Sequence, residues 1–176
     1  MSTVGKRWFL APIALLALAL AFSLTTPVSA EAKTIKKIKP YAIGIHSDAS
    51  DPGVPSGSLR TFTPLWRDVN TAENTYNWAP MRDRINQIRS WGIKDILYVF
   101  QGTPEWAAST PRMPDRESFG PGSTTAPSKM SYWKKYVNAV SKKYGKYIDS
   151  YQIWNEITSV GFYQGTPAQM AKMTKI

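Results

Sequence analysis

Cysteine is absent from this 176-residue chain, and histidine occurs once, as His46. Without thiols there is no disulfide framework, no thiol nucleophile and no cysteine-ligated metal. One histidine excludes a histidine-rich metal site. No metal or organic cofactor is expected. Acidic residues are scarce too, 12 against 22 Lys and Arg, which gives a formal net charge of +10. The chain has no internal repeat and no low-complexity tract. Its apolar runs stop short of the ~20 residues that a membrane-spanning helix needs, so no stable membrane span is expected.

The first 30 residues have the pattern of a secretory signal peptide. Lys6 and Arg7 form a basic start, an apolar run follows from Trp8 to Phe22, and Val28-Ser29-Ala30 offers small residues for cleavage. An uncleaved signal anchor is the alternative. Residues 31–40 are polar and basic and are expected to form a linker, leaving 41–176 as the folded part. Removing residues 1–30 leaves a net charge of +8 (20 basic, 12 acidic). Such a surface attracts anionic partners: wall polymers, uronic-acid polysaccharides or lipid headgroups. Export sets nucleic acid aside. A solvated basic face with no partner accounts for the same charge.

Hydrophobic patterning alternates strands with helices. Tyr41–His46 and Leu59–Phe62 are predicted as strands, separated by a Ser/Asp/Gly/Pro loop with no helix. Pro80 opens a helix in which Met81, Ile85, Ile88 and Trp91 recur at helical spacing, with Arg82, Asp83 and Arg84 assigned to the polar face. Ile93–Phe100 is a third strand. A long loop, Gln101–Pro127, precedes a helix expected to be capped by Ser131 and to end at Tyr144-Gly145. Ile148–Trp154 is a fourth strand, and Thr166-Pro167 starts one more helix. Alternating strands and helices imply an α/β fold with a parallel sheet. Their order fits the first half of a (β/α)8 TIM barrel, about four βα units.

In such barrels the site is built where the strands end. Those ends hold His46, Arg60, Gln101 and Asn155-Glu156, and Trp66 and Trp106 follow the second and third strands. These are polar groups able to bond hydroxyls, beside rings able to stack on a sugar. With seven Trp and nine Tyr in the chain, core packing is the competing role for any one ring. Cleaving a glycosidic bond needs a proton on the leaving oxygen and, for retention, a second carboxylate about 5 Å from the first. Glu156 is the candidate donor. Asn155 can bond the sugar 2-hydroxyl. An Asn-Glu pair after a strand can equally be a helix cap.

Several segments share their order with a known family. They are Tyr151-Gln152-Ile153-Trp154-Asn155-Glu156, Thr103-Pro104-Glu105-Trp106-Ala107, Tyr76-Asn77-Trp78, Gly120-Pro121-Gly122 and Phe162-Tyr163-Gln164-Gly165-Thr166. With them, residues 41–176 resemble the clan A glycoside hydrolases, family 39 in particular. The resemblance implies retaining hydrolysis of a poly- or oligosaccharide, with Glu156 as general acid/base. It implies that Arg60 helps hold the nucleophile and that His46 and Trp106 contact sugar. Two departures stand out. Arg67-Asp68-Val69-Asn70 replaces an acidic residue followed by Pro. The family's nucleophile, a Glu ending a seventh strand, has no counterpart. Glu105, Asp48 and Asp51 are loop carboxylates, and none occupies that position. A four-unit sheet would also leave two open edges, which favour self-association, and the chain alone is expected to turn over little substrate. Two other readings stay open: a secreted, non-catalytic carbohydrate-binding protein, and a basic protein held to an anionic surface by charge.

Overall fold

The computed structural model describes residues 42–176 apart from Pro111. The expected signal segment 1–30 and linker 31–40 lie outside the described residues. Four strands, β1 (Gly44–His46), β2 (Ser58–Thr61), β3 (Asp95–Phe100) and β4 (Ser150–Ile153), pair in sequence order, all parallel. The helices are α1 (Trp66–Val69), α2 (Ala79–Ser90), α3 (Met130–Tyr144) and α4 (Pro167–Thr174). No described helix is long and apolar enough to cross a membrane. The result is an α/β fold with the sequential parallel order of a partial TIM-barrel-like sheet. The outer edges of β1 and β4 have no further strand beside them among the described residues.

Strand side chains alternate between two faces. Leu59, Ile96, Tyr98 and Phe100 turn one face into the core, where each is at most 1% exposed. Onto it α2 lays Met81, Ile85 and Ile88, and α3 lays Trp133, Tyr136 and Val140. Aromatic rings dominate the packing. Trp66 stacks on Tyr136 at 5.1 Å, and Trp133 meets Trp66, Phe100 and Trp154 at 5.4–6.1 Å. Tyr98 donates its hydroxyl to the Pro64 carbonyl, so Tyr136 must donate to Tyr98, 3.1 Å away. Burial pushes both phenols up, since neither can ionise without water.

Three local expectations need correction. Ser131 lies inside α3, whose N-cap is Lys129 with no side-chain bond. Thr166, by contrast, caps α4 as its sequence suggests, its hydroxyl accepting from Gln169 N–H at 3.1 Å while Gln169 bonds back. The stretch after Pro64, to which the hydrophobic pattern assigns no element, forms a short helix, α1. Arg84 does not belong to the polar face of α2. It is 6% exposed and reaches across the gap where no helix joins β1 to β2. Its guanidinium donates to the Ser47 carbonyl, to Gln87 Oε1 at 2.7 Å and to Thr61 Oγ1 at 3.3 Å. These bonds tie the loop after β1 to α2. Burial lowers the Arg84 pKa, and nearby Asp48 partly offsets that.

Candidate functional site

The other face of the sheet mixes the apolar Leu97 and the buried Val99 with the polar Arg60 and Gln152. Arg60 on β2 projects over β3 to β4. All three of its guanidinium nitrogens have partners. Nε donates to Gln152 Oε1 at 3.0 Å, Nη2 to Asn155 Oδ1 at 2.7 Å, and Nη1 lies 3.1 Å from His46 Nδ1. One side chain therefore links β1, β2 and β4 at their C-terminal ends. Gln152 in turn donates from Nε2 to the Trp154 carbonyl at 2.6 Å. A recess of about 270 Å³ opens beside this cluster, lined by Gly44, Ile45, His46, Ser58, Arg60 and Leu97.

Beyond β4 the chain turns sharply. Trp154 and Glu156 both have positive φ, 65° and 43°, in a region that L-residues rarely adopt. Neighbouring contacts hold them there. Trp154 is buried, its backbone N–H bonds the Phe100 carbonyl at 2.9 Å, and its indole N–H bonds the Phe162 carbonyl at 2.7 Å. Its ring packs on Tyr163, whose hydroxyl burial pushes up to about 12. Glu156 is exposed. Its backbone strain implies that Glu156→Gly is no less stable than the native chain, and up to about 1 kcal/mol more stable. An ordinary exposed site would lose stability. Urea unfolding distinguishes the two.

Of the expected site residues, His46, Arg60 and Asn155 are joined by hydrogen bonds at the strand ends, and Glu156 follows Asn155 in the chain. Trp66 does not, and its expected contact with sugar is corrected. It is 0% exposed, and its indole N–H is spent on Asn70 Oδ1 at 3.0 Å. As the first residue of α1 it turns under the loop and into the core. Gln101 is also closed off, at 1% exposure, so sugar cannot reach it in this structure. Its amide has no partner among the described residues. Trp106 is half-buried, donates to the Asn70 carbonyl at 3.0 Å and lines a separate recess of about 490 Å³ with Arg67, Thr71, Pro104 and Glu105. None of those residues belongs to the Arg60 cluster. The most voluminous recess described, about 660 Å³, lies beside α2 and holds none of it either. The recess of about 270 Å³ is the one that His46 and Arg60 of the convergent polar cluster line.

Two members of the cluster were missed as site residues. Gln152 shares its face with Arg60, which its place between the apolar Tyr151 and Ile153 could have suggested. Asp48 follows His46 by two residues and bonds its ring, Nε2 to Oδ2 at 2.8 Å. Asp48 Oδ1 also accepts from Phe62 N–H at 2.9 Å and from Thr61 Oγ1 at 3.1 Å.

The other carboxylates are occupied or distant. The Glu117 side chain is buried, accepts from Gly122 N–H at 2.9 Å and faces Arg112, which also pairs with Glu105 at 3.0 Å. Asp95 and Asp149 lie at the opposite, N-terminal ends of β3 and β4. Among the described residues, Glu156 is the carboxylate at the strand C-termini whose oxygens are not already engaged. No cluster of metal-ligating side chains occurs among them.

No family model matches the chain, and no curated protein matches it. Among solved structures, a family 39 glycoside hydrolase from the gut symbiont Bacteroides cellulosilyticus WH2 is similar at 17% identity, with a TM-score of 0.45. The match covers 68% of this chain and 26% of that one, so the chain spans about a quarter of that protein's length. So remote a likeness carries no functional argument.

Proposed function

We propose that this chain supplies the proton-donor half of an exported, retaining glycoside hydrolase acting on a poly- or oligosaccharide. The observation that carries this reading is the 2.7 Å bond from Arg60 Nη2 to Asn155 Oδ1. It fixes Asn155, and with it the adjoining Glu156, at the C-terminal rim of a parallel sheet, where such folds place their chemistry. With Oδ1 engaged, Asn155 keeps Nδ2 to donate to a sugar hydroxyl. His46 and Arg60 line the recess beside it. The basic surface suits an anionic glycan.

In this reading Glu156 gives its proton to the glycosidic oxygen as the bond breaks. In the second step it takes a proton from the water that releases the sugar. The first step also needs a nucleophile about 5 Å away on the opposite face of the ring. Asp48 is held by His46, Thr61 and Phe62, and no other described carboxylate is placed for the task. The nucleophile therefore comes from polypeptide other than residues 42–176. The free edges of β1 and β4 are where added strands, or a second copy, would join.

The test compares the 176-residue chain with the product of the complete reading frame on a panel of nitrophenyl glycosides and anionic polysaccharides. The chain alone should bind glycan and release little product. The complete form should hydrolyse at least one substrate, with the anomeric configuration retained by NMR. Inversion, or glycan binding without turnover in the complete form, would overturn the proposal.

A further inference from the structure

We propose that Asp48 locks His46 in a single tautomer, and that this lock aims Arg60 at Asn155. His46 Nδ1 has two neighbours with opposite demands. Arg60 Nη1, at 3.1 Å, is a donor and needs a lone pair on Nδ1. The Arg60 backbone carbonyl, at 3.0 Å, is an acceptor and needs a proton there. Which contact forms depends on the other ring nitrogen.

That nitrogen is committed. Nε2 lies 2.8 Å from Asp48 Oδ2, and a carboxylate can only accept. The single proton of the neutral ring therefore stays on Nε2, and Nδ1 is left bare toward Arg60. The carboxylate itself is fixed, because its Oδ1 takes the Phe62 N–H and the Thr61 hydroxyl. Phe62 also packs against the imidazole, with ring centroids 5.3 Å apart. In the other tautomer Nδ1–H would turn to the Arg60 carbonyl and meet Nη1–H head-on. The guanidinium would then swing, and its bonds to Gln152 and Asn155 would lengthen together. Asp48 and His46 are thus positioning residues, acting on the sugar site through Arg60. Their effect on turnover rests on the hydrolase reading; the tautomer does not.

Asp48→Asn is the decisive variant. Its amide oxygen must remain where Phe62 N–H and Thr61 donate, which turns the amide NH2 toward Nε2. Nε2 must then accept, and the ring proton moves to Nδ1. Misassigned tautomers of this kind are costly to enzymes even when the geometry is intact. Because His46 is the chain's single histidine, long-range 15N spectra of the labelled 176-residue protein report it without ambiguity. At about pH 8, above the ordinary histidine range, the native chain should show a pyridine-like Nδ1 and a pyrrole-like Nε2. Asp48→Asn should reverse them.

A protonated Nδ1 in the native chain overturns the proposal, and so does an unchanged pattern in a folded Asp48→Asn variant. If that variant does not fold, the native spectrum alone decides. In the hydrolytically active form, Asp48→Asn should lower kcat/KM roughly tenfold to a hundredfold, the value of a charge-assisted hydrogen bond. Adding His46→Asn, whose amide oxygen stands near the place of Nδ1, should recover most of that loss. A flipped tautomer with an unchanged rate overturns the positioning role. The predicted tautomers in a complete protein that hydrolyses nothing would support the lock and sink the hydrolase reading instead.

Discussion

Substituting glutamine for Glu156 should cut turnover of glycosides with poor leaving groups by about 10²–10⁴-fold and leave the fold intact. The amide has the shape of the carboxyl group and no proton to give. The side chain is exposed and makes no hydrogen bond or ion pair within the described residues, so nothing structural is lost with its charge. Its backbone bond, Ser159 N–H to the Glu156 carbonyl at 2.9 Å, remains. Binding of the intact glycan should change little, because Arg60 and Asn155 are untouched. Steady-state kinetics on the hydrolytically active form, with circular dichroism and urea unfolding as controls, measure this. A variant within a few-fold of native turnover would exclude Glu156 as the proton donor.

Trp66→Ala should destabilise the protein by about 3–5 kcal/mol. The ring is fully buried, stacks at 5.1 Å on Tyr136 and meets Trp133 edge-on at 5.4 Å. Truncation removes those contacts, opens a cavity and leaves Asn70 Oδ1 without its indole donor. Against a typical domain stability of roughly 5–15 kcal/mol, such a loss brings the variant close to unfolding at ordinary temperature. Glycan affinity, corrected for the folded fraction, should be unchanged. A stable variant with weakened glycan binding would instead return Trp66 to the sugar site.

The contrast between Trp66 and Glu156 shows what the sequence could convey. Hydrophobic patterning located the strands and the longer helices: Met81, Ile85 and Ile88 recur at helical spacing on α2, and β3 is an unbroken apolar run from Ile96 to Phe100, where Val99 is buried as well as its neighbours. It also indicated which residues follow each strand. It could not indicate where a side chain goes once regular structure ends. Trp66 and Gln101 both follow a strand, yet one turns into the core at the start of a four-residue helix and the other is buried without a hydrogen-bond partner for its amide among the described residues. The left-handed turn at Trp154 and Glu156 was equally hidden, because no glycine marks it and tertiary contacts impose it. Arg60 was legible because it stands near the C-terminal end of β2, where such sheets gather their polar side chains. Its partners Gln152 and Asp48 are ordinary polar residues. Their roles come from the register that sets β1, β2 and β4 side by side.

The same geometry explains why the fold and the site depend on each other. Trp154 anchors the turn from below through Trp133, Tyr163 and the Phe162 carbonyl. Arg60 holds it from above through Asn155 and, by way of Gln152, through the Trp154 carbonyl. The strained conformation persists because both sets of contacts act on consecutive residues.

Leaving-group dependence tests the proton-donor role most directly. In the hydrolytically active form, Glu156→Ala is assayed on a dinitrophenyl glycoside, whose leaving group departs without a proton, and on the unactivated oligosaccharide. A near-native kcat/KM and initial burst of dinitrophenol on the first, with collapse of kcat/KM on the second, is the predicted result, because only the later water step on the first still needs Glu156. Equal losses on both, or none on either, would contradict it.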